Sequence, residues 1–149
     1  MSNVKAIPEG YHTITPYLIV QGADKLVEFM KSAFGAIVST TMTNPDGTIG
    51  HTEARIGNSF LMLSEARAEW PAMPVMLYLY VEDVDATYQK ALDSGATSVM
   101  PIKDQFYGDR SGGVKDMCGN QWWIATHKED MSAEELQRRH EGAKQAQGA

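Results

Sequence analysis

Cysteine is almost missing from this chain. Cys118 stands alone, which excludes an intrachain disulfide and a thiolate zinc cluster. Positive charge is also in deficit: 13 Lys and Arg face 19 Asp and Glu, for a net charge of −6 and a sequence pI near 5.1. No basic stripe appears, so DNA, RNA and other polyanions are poor partners. Apolar runs approaching 18 residues are absent, as is an apolar h-region in Met1–Gly10. The expectation is a cytoplasmic protein that engages no membrane. Gly112-Gly113 lacks the lysine-and-helix sequel of a phosphate loop.

What remains is an ordinary globular composition, 43% apolar and 21% charged over 149 residues. That length suits one domain (1–149), which buries roughly 68–70% of its unfolded surface and needs no covalent or metal staple.

Along the chain the hydrophobic period alternates between 2 and 3.6. Thr15–Val20 is β-branched and aromatic, and predicts a strand. Over Ala23–Phe34, Leu26, Phe29, Met30 and Ala33 recur at helical spacing, and Gly35 closes the helix. Strands are predicted at Ile37–Thr43, Thr48–Ile56 and Ser59–Ser64, with turns at Asn44-Pro45-Asp46-Gly47 and Gly57-Asn58. The order then recurs. Met76–Val81 predicts a strand, Asp83 an N-cap, and Val84, Tyr88, Ala91 and Leu92 a helix ended by Gly95. Strands follow near Thr97–Ile102, Gly112–Lys115 and Gln121–Thr126. Tyr17-Leu18-Ile19-Val20 matches Tyr78-Leu79-Tyr80-Val81, Gly35-Ala36 matches Gly95-Ala96, and Gly57-Asn58 matches Gly119-Asn120. This is an internal duplication of a β-α-β-β-β unit at about sixty residues. Module one covers about 12–66, a Pro- and Trp-containing linker 67–74, and module two 75–128. In the polar tail of 131–149, Ser132-Ala133-Glu134-Glu135 is a capping box for a short helix with a fraying end.

Two such modules, together with the phrases Pro8-Glu9-Gly10-Tyr11-His12, Gly50-His51-Thr52-Glu53, Asp104–Arg110 and Ile124–Asp130, resemble the vicinal-oxygen-chelate superfamily of glyoxalases, bleomycin-resistance proteins and dioxygenases. The phrases are similar to those of a bacterial subgroup called PhnB-like. The resemblance implies an α+β fold in which two tandem βαβββ modules form a curved mixed-sheet cup with helices outside, and it implies a homodimer. It also implies a divalent metal whose ligands sit on the first and fourth strand of each module. Here those positions fall at Thr15, at Leu61 or Met62, at Met76 and at Trp123. None supplies the imidazole or carboxylate that such an ion takes. No metal and no other cofactor is therefore expected.

Alternation on the third predicted strand puts His51, Glu53 and Arg55 on one face and Thr52, Ala54 and Ile56 on the other. The apolar set belongs against the helices, so the polar set faces the cup. His51 and Glu53 are the candidate catalytic pair, as acid and base or as off-position metal ligands. A plain rim of hydrogen bonds is the competing expectation. Tyr17, Met76, Tyr78, Tyr80 and Trp123 suit a flat organic guest, with Arg55, Tyr107 and Arg110 as further ligand contacts. Tyr107 and Arg110 belong to a predicted loop over the cup mouth, where Arg110 could meet an anionic group. His12, His127 and His140 read as peripheral, and Cys118 as unreactive. The expected function is metal-free binding of a small, possibly aromatic molecule. The alternative is a glyoxalase-like lyase or isomerase, or a dioxygenase, using His51 and Glu53. An interaction module is a third reading.

Overall fold

The computed structural model describes residues 3–148. Module one contains β1 (Tyr17–Val20), α1 (Ala23–Phe34), β2 (Ile37–Thr43), β3 (Ile49–Ile56) and β4 (Ser59–Glu65). Module two repeats the order with β5 (Met76–Tyr80), α2 (Val84–Asp93), β6 (Thr97–Asp104), β7 (Asp109–Lys115) and β8 (Gln121–His127), and α3 (Ala133–Gly148) follows.

Each module is one four-stranded mixed sheet, ordered β1-β4-β3-β2 and β5-β8-β7-β6. The first strand of each runs parallel to the fourth, and the other pairs are antiparallel. Register shifts in β2 opposite β3 and in β6 opposite β7 bend these outer strands, because a bulge adds local twist. One face of each sheet carries the core. Leu18, Val20, Ala54, Leu61 and Leu63 in module one, and Val114, Trp122 and Ile124 in module two, are buried there with Leu26, Phe29, Met30 and Ala33 of α1 and with Val84 and Ala91 of α2. Burying each large aliphatic or aromatic side chain stabilises the fold by roughly 1.5–3 kcal/mol. The opposite faces are concave and turned away from the helices.

The modules meet through α1 against α2 and through Phe29 and Phe34, whose rings lie 6.4 and 4.9 Å from Trp122. Among the described residues, no strand of one sheet joins the other sheet. The sheets are therefore not closed on each other, and both concave faces are open.

Local chemistry explains where elements start and stop. The N-terminus of α1 is capped from outside its own sequence: the Gly22 and Ala23 amides donate to Glu65 on β4 at 3.0 Å each. Asp83 caps α2 by accepting from the Ala86 amide at 3.1 Å. β1 starts at Tyr17 rather than Thr15, since Pro16 has no N–H for the ladder; its carbonyl still accepts from Met62 at 2.9 Å. β7 starts at Asp109, three residues ahead of the predicted Gly112, because pairing with β8 overrides the weak strand propensity of Asp109-Arg110-Ser111. α3 runs to Gly148 instead of stopping short. Polar anchors hold it where apolar ones are few: Arg139 reaches Glu129, Glu135 and the Phe106 carbonyl.

Candidate functional site

On the concave face of module one, β3 presents His51, Glu53 and Arg55, while Thr52 and Ala54 are buried on the helix side. β1 adds Tyr17, whose register partner on β4 is Met62. The Tyr17 hydroxyl lies 3.0 Å from His51 Nδ1, and His51 Nε2 lies 3.0 Å from Glu53 Oε2. The remaining oxygen of Glu53 accepts from the Tyr11 hydroxyl. The result is a chain, Tyr17–His51–Glu53–Tyr11, in which both ring nitrogens of His51 are engaged. Hydrogen bonds from Tyr11 and then His51 hold the Glu53 carboxyl below its usual range, against the opposing effect of burial. Burial, then the hydrogen bond to Glu53 and its charge, push the Tyr11 phenol up to about 12. Tyr11 comes from the segment ahead of β1, stacked on Phe60 at 4.4 Å. Arg55 shares the face and is exposed.

Module two carries a second cluster of tyrosine, histidine and carboxylate, at different strand positions. Asp109 opens β7 and is only 4% exposed. Its Oδ2 accepts from both Tyr78 and Tyr80 hydroxyls at 2.9 Å, and its Oδ1 lies 2.8 Å from His127 Nδ1. The other ring nitrogen of His127 is 2.7 Å from Asp130. Burial alone would raise the Asp109 carboxyl, but the bonds from His127, Tyr78 and Tyr80 outweigh it and lower it. Those from Asp109 and then Asp130 raise His127. Burial, followed by neighbouring hydrogen bonds, raises both tyrosines. The Tyr107 and Ser111 hydroxyls adjoin Tyr78 and lie 3.5 Å from each other. Trp123, the register partner of Tyr78, lies over Gly113 of β7. A Cβ there would stand 3.0 Å from the indole carbons, so glycine is what lets the ring lie on the sheet.

Three sequence expectations change. Arg110 does not reach the concave face. It projects to the helix side, where Nε and Nη2 bond the two Asp85 oxygens at 2.9 Å each and Nη1 bonds Asp104 at 3.2 Å. His127 is no peripheral residue but a member of the Asp109 cluster. The segment around Phe106 is not a free loop over a cup mouth: Phe106 packs on His140 of α3 with ring centroids 5.6 Å apart. Asp109 and His127 are 18 positions apart and on opposite sides of a turn, so only the β7–β8 register pairs them. That each falls on the concave face by alternation was the available signal.

A sequence model of the Glyoxalase/Bleomycin resistance protein/Dioxygenase superfamily matches residues 10–124. The chain belongs to that superfamily. An uncharacterized protein of Mycobacterium bovis is 33% identical over 135 residues, covering 83% of this chain and 89% of the relative. Among solved structures, TioX from Micromonospora sp. ML1 aligns with a TM-score of 0.67 at 22% identity, over 78% of this chain and 98% of TioX. A PhnB protein from Bacillus cereus aligns at 0.63 and 19% identity, over 77% of this chain and 99% of that one. At these identities the solved structures speak to the fold alone.

The superfamily's divalent metal does not fit the residues here. Register resolves the open choice on β4: Met62 pairs with Tyr17 and faces the concave side, whereas Leu61 is buried among the helices. The four positions thus hold Thr15, Met62, Met76 and Trp123, a hydroxyl, two thioethers and an indole, none of them a ligand of choice for such an ion. Among the described residues, no group of three or more His, Cys, Asp or Glu side chains is arranged to hold one. Cys118 is no substitute. Burial, then the charge of Asp116, raises its thiol to about 11, away from the reactive thiolate.

Proposed function

We propose that this superfamily member is a metal-free small-molecule-binding protein that holds an organic, aromatic-compatible guest on its concave surface. The observation that supports it most is the exposure of large side chains there. Tyr17 is 44% exposed, Met76 59%, Tyr78 41% and Tyr80 64%. Water-facing aromatic and thioether groups set around a few oriented polar atoms are what a guest-binding surface needs. The reading extends to a cytoplasmic protein of the PhnB-like subgroup that acts as a homodimer in one domain per chain. Ile37, Met42 and Met73 add to the exposed apolar set, and a second copy would cover part of it and turn open faces into a cup.

The test is titration of the full chain with indole, a neutral aromatic probe, followed in 1H–15N spectra, alongside a thermal-shift series with divalent ions. Saturable shifts at Tyr17, Met76, Tyr78 and Trp123, abolished by Met76→Glu, are expected, with no metal-dependent rise in Tm. Absence of any saturable shift on this face overturns the binding reading. A stoichiometric metal response overturns its metal-free part, and a monomer in sedimentation overturns the dimer.

A second reading has its own observation, the Tyr17–His51–Glu53 chain. In an enzyme of the lyase, isomerase or dioxygenase type, the half-exposed Tyr17 hydroxyl would pass a proton to or from substrate while His51, oriented by Glu53, returns or takes up that proton at Nδ1. His51→Ala would then abolish turnover with the fold intact.

A further inference from the structure

The Asp109 cluster has an unequal supply of hydrogen-bond donors and acceptors. Tyr78 and Tyr80 each spend their single O–H on Asp109 Oδ2, and both ring nitrogens of His127 are engaged by carboxylates. A phenol has one proton to donate. The Tyr78 oxygen is also met by the Tyr107 and Ser111 hydroxyls, so what these two tyrosines offer a visitor is ring faces and the Tyr80 oxygen lone pairs, with no free O–H of their own. The rings are 5.3 Å apart and inclined at 55°, so they form two walls of an open wedge. His127 closes one end, edge-on to Tyr80 at 6.4 Å and 87°.

Charge has the same bias. Asp109 and Asp130 face one imidazole, and even a protonated His127 leaves the trio with one net negative charge. A phenol that donates to a carboxylate is also richer in ring electrons, which strengthens the negative face that attracts cations. The arginine that could have drawn an anion here is held on the other side of the sheet by Asp85 and Asp104. Lys103 and Lys115 share the concave face but are exposed, and Lys103 stands on β6, at the opposite edge of the sheet from β5. Tyr78 and Tyr80 are both exposed, so the wedge is accessible.

We infer that the concave face of module two is an aromatic cage for a cationic guest, with Tyr78 and Tyr80 receiving a quaternary or protonated ammonium group and Asp109 positioning both rings. The inference rests on the small-molecule-binding reading and names the charge class of its guest. An anion would meet electron-rich ring faces and a buried carboxylate, and a neutral group would gain contact area alone.

Three near-isosteric probes separate these cases: choline, the neutral 3,3-dimethylbutan-1-ol and the anionic 3,3-dimethylbutanoate. Each is titrated into the full chain and followed in 1H–15N spectra. Choline should saturate with shifts at Tyr78 and Tyr80 and bind about fivefold or more tightly than the alcohol, as expected for cation–π contact with two partly exposed rings. The carboxylate should be weakest. Tyr80→Leu should bring choline to the affinity of the alcohol. Tyr80→Phe, which keeps the ring and loses only its bond to Asp109, should fall between the two and guards against a folding defect. Equal affinity for choline and the alcohol at these residues overturns the cage while leaving small-molecule binding intact. Preference for the carboxylate overturns it outright, as does a response to indole with none to choline. Failure of indole as well removes the underlying reading.

Discussion

Asp109 and His127 are register partners across β7 and β8, and their side chains meet at 2.8 Å on the concave side of module two. The pair ties the last strand to the two tyrosines of β5, because the same carboxylate holds Tyr78 and Tyr80. It also ties strand to tail, since Asp130 takes the other His127 nitrogen.

This arrangement predicts a pH dependence with a definite sign. The folded pKa of His127 is raised by Asp109 and Asp130. Its stabilising contribution is complete below the unfolded value of about 6.5 and disappears as pH rises through the raised folded value. The folded pKa of Asp109 is lowered, so its contribution is complete above about 3.9 and disappears as pH falls through the lowered value. Both operate between about pH 4 and 6.5. Urea unfolding of the native chain should show stability falling from that window toward higher pH, and His127→Gln should flatten the alkaline limb. An unchanged limb in the variant would show that the fall has another source.

Gly113 is the seat of the Trp123 indole, which a Cβ would press at 3.0 Å. Gly113→Val should lift the ring from the sheet, red-shift its fluorescence and cost about 1–3 kcal/mol through overpacking. Indole binding should weaken with it. A variant with native fluorescence and affinity would mean that the ring repacks without cost.

Asp116, 5% exposed, holds the β7–β8 turn by accepting from the Cys118 and Asn120 amides at 2.8 and 3.1 Å, from the Asn120 side chain at 3.1 Å and from Trp122 Nε1 at 2.7 Å. Asp116→Ala would strand several buried donors at once. A loss of about 2–4 kcal/mol in urea unfolding is expected, with the largest spectral changes at Trp122.

Gly108 has φ 98°, a conformation that disfavours any side chain, and its Cβ would collide with the Glu129 carbonyl. Its own carbonyl receives the Lys128 and Glu129 amides at 2.8 and 3.1 Å. Gly108→Ala should loosen the tail from module two. Limited proteolysis should then cut within 129–148 several-fold faster, while the sheets keep their amide-exchange protection.

The duplicated βαβββ order was legible from the chain alone because its signals are local. A period of 3.6 over Leu26, Phe29, Met30 and Ala33, a period of 2 over His51–Ile56, and turn residues at Asn44–Gly47 each follow from a few adjacent residues. Alternation likewise put His51 and Glu53 on the face away from the helices, where both are found.

What the tertiary structure alone decided is which residues on those faces meet. Tyr17 reaches His51 across 34 positions, and Glu65 caps α1 across 42 and 43. Asp109 gathers Tyr78, Tyr80 and His127 from two other strands. Strand order and register set these pairings, and neither is written in local periodicity. The type of Arg110 suggests an anion contact, but a one-residue step along β7 turns it to the helix side and Asp109 to the cup, because successive side chains on a strand face opposite ways. The sequence alone determined the kind of sheet and helix layers this protein builds; the pairing of strands decided that its second polar cluster is centred on a buried aspartate.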